Sequence, residues 1–445
     1  MGLFILVLVL GMAFFLGDYW MNAPQWIGAP SSSYMHNDAI GFGSVTDRAG
    51  ITILDVGQNK AYSSDPTTRL STLHWLGDRQ GNIVSRPISE YAADMSGYDV
   101  VDGVYDFGGI GGTMELTLSV RAQNAAYNAM AGRKGTVAVY NYETGEILCA
   151  ITTPTFDPDD PIDLSAVDPE LYEGVYLNRF AQSTYIPGSI FKVVTTAAAL
   201  DCVPDIEKMK FTCTGILEYG EEKVSCERAH GTQDLKLALA NSCNCAFAQV
   251  AELVGKDRMT DYVTRFGILD PVSFDGVTTA KGHYDISDAA PVSFAWSCIG
   301  QYTDLINPCR FMTFMGAIAG DGACAQPYLV SHVTGGGETT YSAEIQQMDP
   351  ILSAEVTEKL REYMRGNVEM VYGAGNFPGL TVCAKSGTSQ VGGEKTSNAL
   401  FAGFVADEEY PLAFIVVVEN GGYGASTCVP ILSKVLAACK AELDS

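Results

Sequence analysis

Strand-like segments stand near both ends of residues 114–445, with helical segments between them. Two strands around a turn at residues 143–145 are predicted by GTVAVYNYETGEILCAIT. Three more strands and a last helix are predicted by LTVCAKSGTSQ, ALFAGFVA, PLAFIVVVEN and PILSKVLAACKAELD. This order predicts an α+β fold in which about five antiparallel strands form a sheet flanked by helices.

A composition change marks the start of that region. Residues 18–113 are rich in Gly, Ser, Asp and Tyr, and they end at a glycine cluster near Gly112. The length of 445 residues is more than one ordinary domain needs. We therefore predict an N-terminal anchor over residues 1–17, a small module over 18–113 and the main domain over 114–445.

The anchor prediction rests on an uncharged run of fifteen residues, Leu3–Gly17, with the sequence LFILVLVLGMAFFLG. A full membrane span needs about 20 apolar residues, and no small-residue cleavage site follows the run. The first basic residue is Arg48, so the usual positive flank is missing. We expect a single membrane anchor with the rest of the chain outside the membrane. A start site placed too late would explain both the short apolar run and the missing positive flank. A buried core helix is the alternative to an anchor.

Charge and ligand-type residues limit the function classes. A net charge of −25 argues against a nucleic-acid partner, because few basic groups are available to neutralise phosphates. The five histidines are dispersed and no cysteine pair has zinc-motif spacing, so neither a metal nor a cofactor is expected. A Cys213–Cys226 disulfide and free thiols remain alternatives.

One lysine sits at the start of an apolar, alanine-rich run. In YIPGSIFKVVTTAAAL, Ser189 follows a Pro-Gly turn and is predicted at a helix N-terminus, with Lys192 three residues later on the same face. Apolar neighbours should desolvate the amine and lower its pKa, so that it can accept the serine proton. A capping serine with a solvated lysine is the alternative for this motif alone.

Two later motifs favour the catalytic interpretation of Ser189 and Lys192 over the capping one. Ser242-Cys243-Asn244 lies in a helical context, and Lys385-Ser386-Gly387-Thr388 lies on a predicted strand. Gly387 there would let a substrate backbone approach closely. The ordered set S-x-x-K, S-x-N and K-T-G is typical of penicillin-binding proteins and class A β-lactamases. Together the three motifs predict a serine acyl-transfer enzyme with a lysine base.

Residues 115–440 resemble a penicillin-binding protein transpeptidase of class B, the monofunctional, membrane-anchored type. The resembling segments are PTFDP from Pro154, NRFAQSTYIPGSIFK from Asn178, SCN from Ser242, CIGQ from Cys298 and KSGTS from Lys385. GSVTDRAG, residues 43–50, is similar to the R-G-x-I-x-D-R-N-G segment of the family, with Phe42 and Ala49 in place of arginine and asparagine.

The resemblance implies roles for the first two motifs. Ser189 would attack the carbonyl of the penultimate D-alanine of a peptidoglycan stem peptide, with Lys192 as general base. Ser242 would relay a proton to the leaving amine, and Asn244 would bind the substrate amide.

For the third motif, the resemblance implies that Lys385 holds Lys192 neutral and attracts the substrate carboxylate. The Ser386 and Thr388 hydroxyls would bind that carboxylate. The backbone N–H groups of Ser189 and Thr388 would form the oxyanion hole.

The same resemblance implies stem peptides ending in D-Ala-D-Ala as substrate, β-lactams as covalent inhibitors and a SEDS-type (FtsW/RodA-like) glycan polymerase as partner. A β-lactamase or D,D-carboxypeptidase that hydrolyses the same acyl-enzyme is the nearest alternative. A non-catalytic scaffold or β-lactam sensor is an alternative of another class.

Overall fold

The structure is a computed structural model that describes residues 2–22, 43–56, 61–96, 98–99, 104–105, 112–392 and 395–445. It divides into two compact units. Unit 1 comprises Met1–Thr117, Phe156–Ile162 and Leu329–Glu344. Unit 2 comprises Leu118–Thr155, Asp163–Tyr328 and Ile345–Ser445.

The helices, in chain order, are α1 Gly2–Asn22, α2 Pro66–Leu76, α3 Arg86–Glu90, α4 Ala92–Ser96, α5 Val120–Met130, α6 Arg179–Gln182, α7 Lys192–Cys202, α8 Leu235–Ala240, α9 Asn244–Val254, α10 Lys256–Arg265, α11 Pro291–Cys298, α12 Pro308–Ala319, α13 Ala354–Asn367 and α14 Gly424–Leu443. Short 3-10 segments cover Gly188–Phe191, Ile206–Lys208 and Ala374–Asn376, and a π turn covers Val368–Tyr372.

The strands are β1 Ser44–Thr46, β2 Thr52–Asp55, β3 Ala61–Tyr62, β4 Tyr98–Asp99, β5 Val104–Tyr105, β6 Thr113–Leu116, β7 Gly135–Asn141, β8 Ile147–Thr153, β9 Phe211–Cys213, β10 Ile216–Tyr219, β11 Glu222–Ser225, β12 Gly231–Gln233, β13 Ser273–Phe274, β14 Val277–Thr278, β15 Val330–Gly335, β16 Glu338–Ser342, β17 Val382–Ser389, β18 Asn398–Val405 and β19 Leu412–Val418.

The central sheet of unit 2 has five strands in the order β17-β18-β19-β7-β8, and every neighbouring pair is antiparallel. All residues of β7, β8, β18 and β19 are buried. Strands covered on both faces read as continuous apolar runs, as these do. The predicted α+β fold with a five-stranded antiparallel sheet is confirmed.

Helices cover both faces of this sheet. On one face, α5 and α14 pack against side chains that include Val137, Val139, Phe401 and Val416. Helix α12 contacts β18 and β19 from the other face, where the backbone of Gly316 lies against Tyr140. Alternate side chains of a strand point to opposite faces, so this two-sided cover accounts for the burial of every strand residue.

A side-chain cap determines where the first helix of unit 2 begins. The Ser119 hydroxyl accepts from the Ala122 N–H at 3.2 Å, which caps the start of α5. The helix ends where Ala131 and Gly132 take left-handed conformations, with φ of 48° and 78°. The end of this helix therefore has a backbone cause. The last helix begins at Gly424, earlier than predicted, and contains Pro430.

Unit 1 contains a six-stranded sheet in the order β16-β15-β6-β1-β2-β3. β1 and β6 are parallel in it, and the other pairs are antiparallel. The first helix, α1, carries exposed apolar side chains such as Phe4 and Phe14. Within the described ranges, none of the helices combines the length and apolar character that crossing a membrane requires.

Candidate active site

Ser189 lies in the 3-10 turn Gly188–Phe191, which leads directly into α7. The serine was expected at the N-terminus of the helix, and it lies in a tighter turn immediately before that helix. Gly188 has a φ of 54°, and a Cβ placed there would lie 2.6 Å from the carbonyl oxygen of Thr388. Its N–H donates to the Gly300 carbonyl at 2.8 Å. Glycine is required here by both conformation and space, and it brings the turn against β17.

The amine of Lys192, the first residue of α7, is fully buried. Its Nζ lies 2.7 Å from the Ser242 carbonyl oxygen and 2.7 Å from Asn244 Oδ1, both of which can only accept. The Ser189 Oγ is 3.0 Å from the same Nζ. A neutral amine has two N–H donors and one lone pair. With the two acceptors taking the N–H groups, the lone pair is left for the Ser189 hydroxyl proton.

Burial and charge keep this amine neutral. Desolvation lowers the pKa of Lys192 well below its usual value, and the nearby positive charge of Lys385 lowers it further. Burial alone lowers the pKa of Lys385 to about 7. Both lysines belong to one site, so their protonation is coupled and the neutral form of Lys192 is favoured.

Ser242 joins the two lysines. Its Oγ lies 3.1 Å from Lys192 Nζ and 3.1 Å from Lys385 Nζ. The sequence placed this serine in a helical context, but the structure places it in the break between α8 and α9, at a φ of 51°. The break is stabilised because Cys243 caps α9 by accepting from the Ala246 N–H. A left-handed backbone at a non-glycine residue is uncommon and marks a strained position.

Asn244 is held by both ends of its amide. Oδ1 accepts from Lys192, and Nδ2 donates to the Ser225 carbonyl at 2.8 Å. The two partners settle the orientation of the amide, because a lysine can only donate and a carbonyl can only accept. The side chain thus connects the end of β11 with the Lys192 amine.

Ser386 and Thr388 lie on β17, as predicted. The Ser386 hydroxyl is 2.9 Å from the hydroxyl of Tyr372, which also accepts from the Ser386 N–H at 2.9 Å. Thr388 Oγ1 accepts from the Gly424 N–H at 3.2 Å, and the Thr388 carbonyl accepts from Gln301 Nε2 at 3.0 Å.

Two of these partners were given no role by the sequence. Gln301 closes the CIGQ segment, which was noted only as a family landmark. Tyr372 lies in the π turn before β17, and nothing in the sequence around it indicates a contact with Ser386.

The glycine of the third motif serves a different purpose from the one expected. A Cβ at Gly387 would lie 2.9 Å from the Pro187 carbonyl oxygen and 3.1 Å from Ile190 Cγ2. The expectation that it accommodates a substrate backbone is replaced by contact with the turn that carries Ser189. Gly387 and Gly188 together allow the two backbones to approach.

A known protein family covers the region of the chain that carries this site. The family model of the penicillin-binding protein transpeptidase domain matches residues 135–437. The chain belongs to this family. Its resemblance to the family, stated from the motifs alone, is confirmed.

Curated relatives and solved structures are similar to this chain over most of its length. The chain is 28% identical over 339 residues to the peptidoglycan D,D-transpeptidase PbpA of Mycobacterium tuberculosis, covering 70% of this chain and 68% of that protein. The transpeptidase domain of a peptidoglycan glycosyltransferase from Eggerthella lenta matches with a TM-score of 0.77 and 24% identity, covering 91% and 99% of the two chains. The penicillin G acyl-enzyme of penicillin-binding protein A from M. tuberculosis matches with a TM-score of 0.73 and 24% identity, covering 90% and 100%.

Proposed function

We propose that the chain is a peptidoglycan D,D-transpeptidase that cross-links stem peptides through an acyl ester on Ser189. One observation carries this assignment. The Lys192 amine lies 3.0 Å from the Ser189 hydroxyl, and two acceptors engage its N–H groups. The motif order and membership of the transpeptidase family support the same activity.

Acylation begins when Ser189 Oγ attacks the carbonyl carbon of the penultimate D-alanine and its proton passes to Lys192 Nζ. The backbone N–H groups of Ser189 and Thr388 would stabilise the oxyanion. The C–N bond then breaks. The proton held on Lys192 passes through the Ser242 hydroxyl to the leaving D-alanine amine. The distance of 3.1 Å between Lys192 Nζ and Ser242 Oγ supports this route.

Deacylation uses the same groups in reverse. The amine of a neighbouring stem peptide attacks the ester carbonyl and gives up a proton, and Ser189 leaves with a proton returned to its oxygen. A new amide bond forms and the enzyme is regenerated. A β-lactam would form the same ester on Ser189, with its ring amide taking the place of the D-Ala-D-Ala peptide bond.

Substrate binding is assigned to the polar groups around the nucleophile. Lys385 would attract the terminal carboxylate, and the hydroxyls of Ser386 and Thr388 would donate to it. The Ser386 hydroxyl can accept from the Tyr372 hydroxyl and still donate its own hydrogen to a ligand. The Asn244 amide would donate its second hydrogen to a substrate carbonyl.

Labelling with a fluorescent penicillin tests the nucleophile. We expect covalent label on the wild type and on Ser287→Ala, an exposed serine outside the site, and none on Ser189→Ala. Label on Ser189→Ala equal to that on the wild type would contradict the assignment. The absence of label on every folded variant would favour the non-catalytic scaffold.

A second measurement separates transfer from hydrolysis. The chain is incubated with a pentapeptide stem in the presence and absence of a D-amino acid acceptor. A transpeptidase forms the exchanged peptide, whereas a D,D-carboxypeptidase releases D-alanine without exchange. Loss of the penicillin label within seconds would instead indicate a β-lactamase.

For the wider arrangement of the chain we propose the one that the sequence predicts. Residues 1–17 would anchor the chain in the cell membrane, residues 18–113 would form a small pedestal, and residues 114–445 would act outside the cytoplasm. The exposed apolar side chains of α1 support the anchor. Membrane pelleting of the full chain and of a chain lacking residues 2–22 tests it. A SEDS-type polymerase would be the membrane partner, tested by co-purification with the anchored form.

A further inference from the structure

Four side chains with metal-binding atoms meet beside the active site. They are Cys213 at the end of β9, Cys226 after β11, His230 before β12 and Cys243 before α9. Their donor atoms all lie within 4.8 Å of one another. All twelve cysteines are free, so the Cys213–Cys226 disulfide considered from the sequence is not formed.

Two of the separations between these atoms match those around a tetrahedral zinc ion. Zn–S bonds of about 2.3 Å and Zn–N bonds of about 2.0–2.1 Å imply S···S separations of about 3.8 Å and S···N separations of about 3.5 Å. The sulfurs of Cys226 and Cys243 are 3.7 Å apart, and the Cys213 sulfur is 3.5 Å from His230 Nδ1. These four donors could therefore hold one ion with little movement.

Backbone groups around the cluster favour the thiolate forms. The Cys245 N–H donates to the Cys226 sulfur at 3.2 Å, and the Ala246 N–H donates to the Cys243 sulfur at 3.4 Å. Such outer contacts orient metal ligands and stabilise their charge. The Cys245 thiol lies 3.6 Å from the Cys226 sulfur but is directed to the Val224 carbonyl, at 3.7 Å.

The segment that carries three of the four ligands has little core of its own. Between residues 211 and 233, the buried side chains are those of Phe211, Cys213, Val224 and Gln233. The hairpin of β10 and β11 is otherwise exposed or half-buried. Small segments that cannot bury enough apolar area are commonly stabilised by a metal or a disulfide. With every cysteine free, a metal is the device that the residues support.

We propose that Cys213, Cys226, His230 and Cys243 bind one Zn²⁺ as a closed structural site. Three thiolates and one imidazole form a donor set that suits zinc and that calcium or magnesium would not use. Binding requires each thiol to lose its proton and the imidazole to be neutral, so it releases protons and weakens at low pH. Cys226 and His230 are only half-buried, which gives the ion a path from solvent.

If the proposed function holds, the metal site also positions a group of the active site. Cys226 directly follows Ser225, whose carbonyl accepts from Asn244. Cys243 directly precedes Asn244, and Asn244 Oδ1 accepts from Lys192 at 2.7 Å. An ion that joins Cys226 to Cys243 would keep Ser225 and Asn244 in contact, and thereby orient the amine that activates Ser189.

The first test is metal content. The full chain is purified in detergent, loaded with Zn²⁺ and passed through a desalting column. Its zinc content is then measured by inductively coupled plasma mass spectrometry. We expect one zinc per chain. Cys213→Ser and His230→Gln should each lower zinc affinity about 10-fold or more in competition with a chromophoric chelator. Cys202→Ser and His283→Gln, outside the cluster, should leave it unchanged.

Cobalt gives a readout of the ligands themselves. Co²⁺ in the same site should show thiolate-to-metal charge-transfer absorption, which scales with the number of sulfur ligands. Cys213→Ser should remove about one third of that intensity, because one of three thiolates is lost. Zinc below a tenth of an equivalent in the folded chain, a Cys226–Cys243 disulfide, or equal affinity in all variants would overturn the proposal.

Acylation by fluorescent penicillin separately tests whether the metal ion positions Asn244 and Lys192. Removal of zinc should slow the labelling of Ser189, and added Zn²⁺ should restore it. An unchanged rate in a chain shown to have lost its zinc would refute the positioning role. Metal stoichiometry is measured without activity, so failure of the proposed transpeptidase function would leave the zinc result standing.

Discussion

Replacing the buried lysine base tests the mechanism most directly. Lys192→Met keeps much of the side-chain volume and removes the amine that lies 3.0 Å from Ser189 Oγ. General-base catalysis contributes about 10²–10⁴-fold to a rate. We therefore expect the rate constant of acylation to fall by that factor, which corresponds to about 3–5 kcal/mol of activation free energy.

The same substitution affects stability in two opposing ways. The Ser242 carbonyl and Asn244 Oδ1 each lose a donor, which costs about 2–6 kcal/mol for the two together. Removal of a desolvated amine from a fully buried position offsets part of that cost. Thermal unfolding of the variant, measured alongside, therefore separates a folded but slow enzyme from an unfolded one.

The assay is the time course of labelling by a fluorescent penicillin at several concentrations. Lys434→Met, at an exposed position of α14, is the matched control and should label at the wild-type rate. A folded Lys192→Met chain that acylates within about threefold of wild type would refute Lys192 as the base. If Lys385→Met were then the slow variant, Lys385 would take that role.

Three further outcomes follow from the site. Gly387→Ala should nearly abolish acylation, because its Cβ would lie 2.9 Å from the Pro187 carbonyl and displace the turn that carries Ser189; a wild-type labelling rate would contradict this. Tyr372→Phe should lower the free energy of unfolding by about 1–3 kcal/mol in urea, since the Ser386 N–H loses its acceptor. Burial lowers the pKa of Lys385 from 10.5 to about 7, so the unfolded chain binds the extra proton between these values and stability rises with pH across that window. Lys385→Met should remove a rise of about 5 kcal/mol, and an identical pH dependence in both chains would contradict the shift.

Some local predictions failed where neighbouring elements set the conformation. Ser242 was expected within a helix, yet it occupies a left-handed break between α8 and α9. Gly387 was expected to face substrate, yet it faces Pro187 and Ile190. Propensity and spacing describe one segment at a time. Neither can register that the backbones of the nucleophile turn and β17 come together.

The sequence did not predict the cluster of three cysteines and one histidine for the same reason. The positions 213, 226, 230 and 243 match no paired zinc spacing, and the sequence therefore indicated no metal. Three short strands and the start of a helix bring these residues within reach of one ion. A ligand set assembled from separate hairpins leaves no periodic trace in the chain.

The sheet and the three motifs of this protein could be predicted from the amino-acid sequence alone. Long apolar runs could only be strands or helices buried on both sides, and the order of the three motifs restricted the chemistry to serine acyl transfer. The protonation state of Lys192, in contrast, depends on how the chain packs. Its lowered pKa depends first on complete burial and then on the charge of Lys385, which β17 brings close from far along the chain. Proximity and desolvation are properties of the packed molecule, and no single segment contains them.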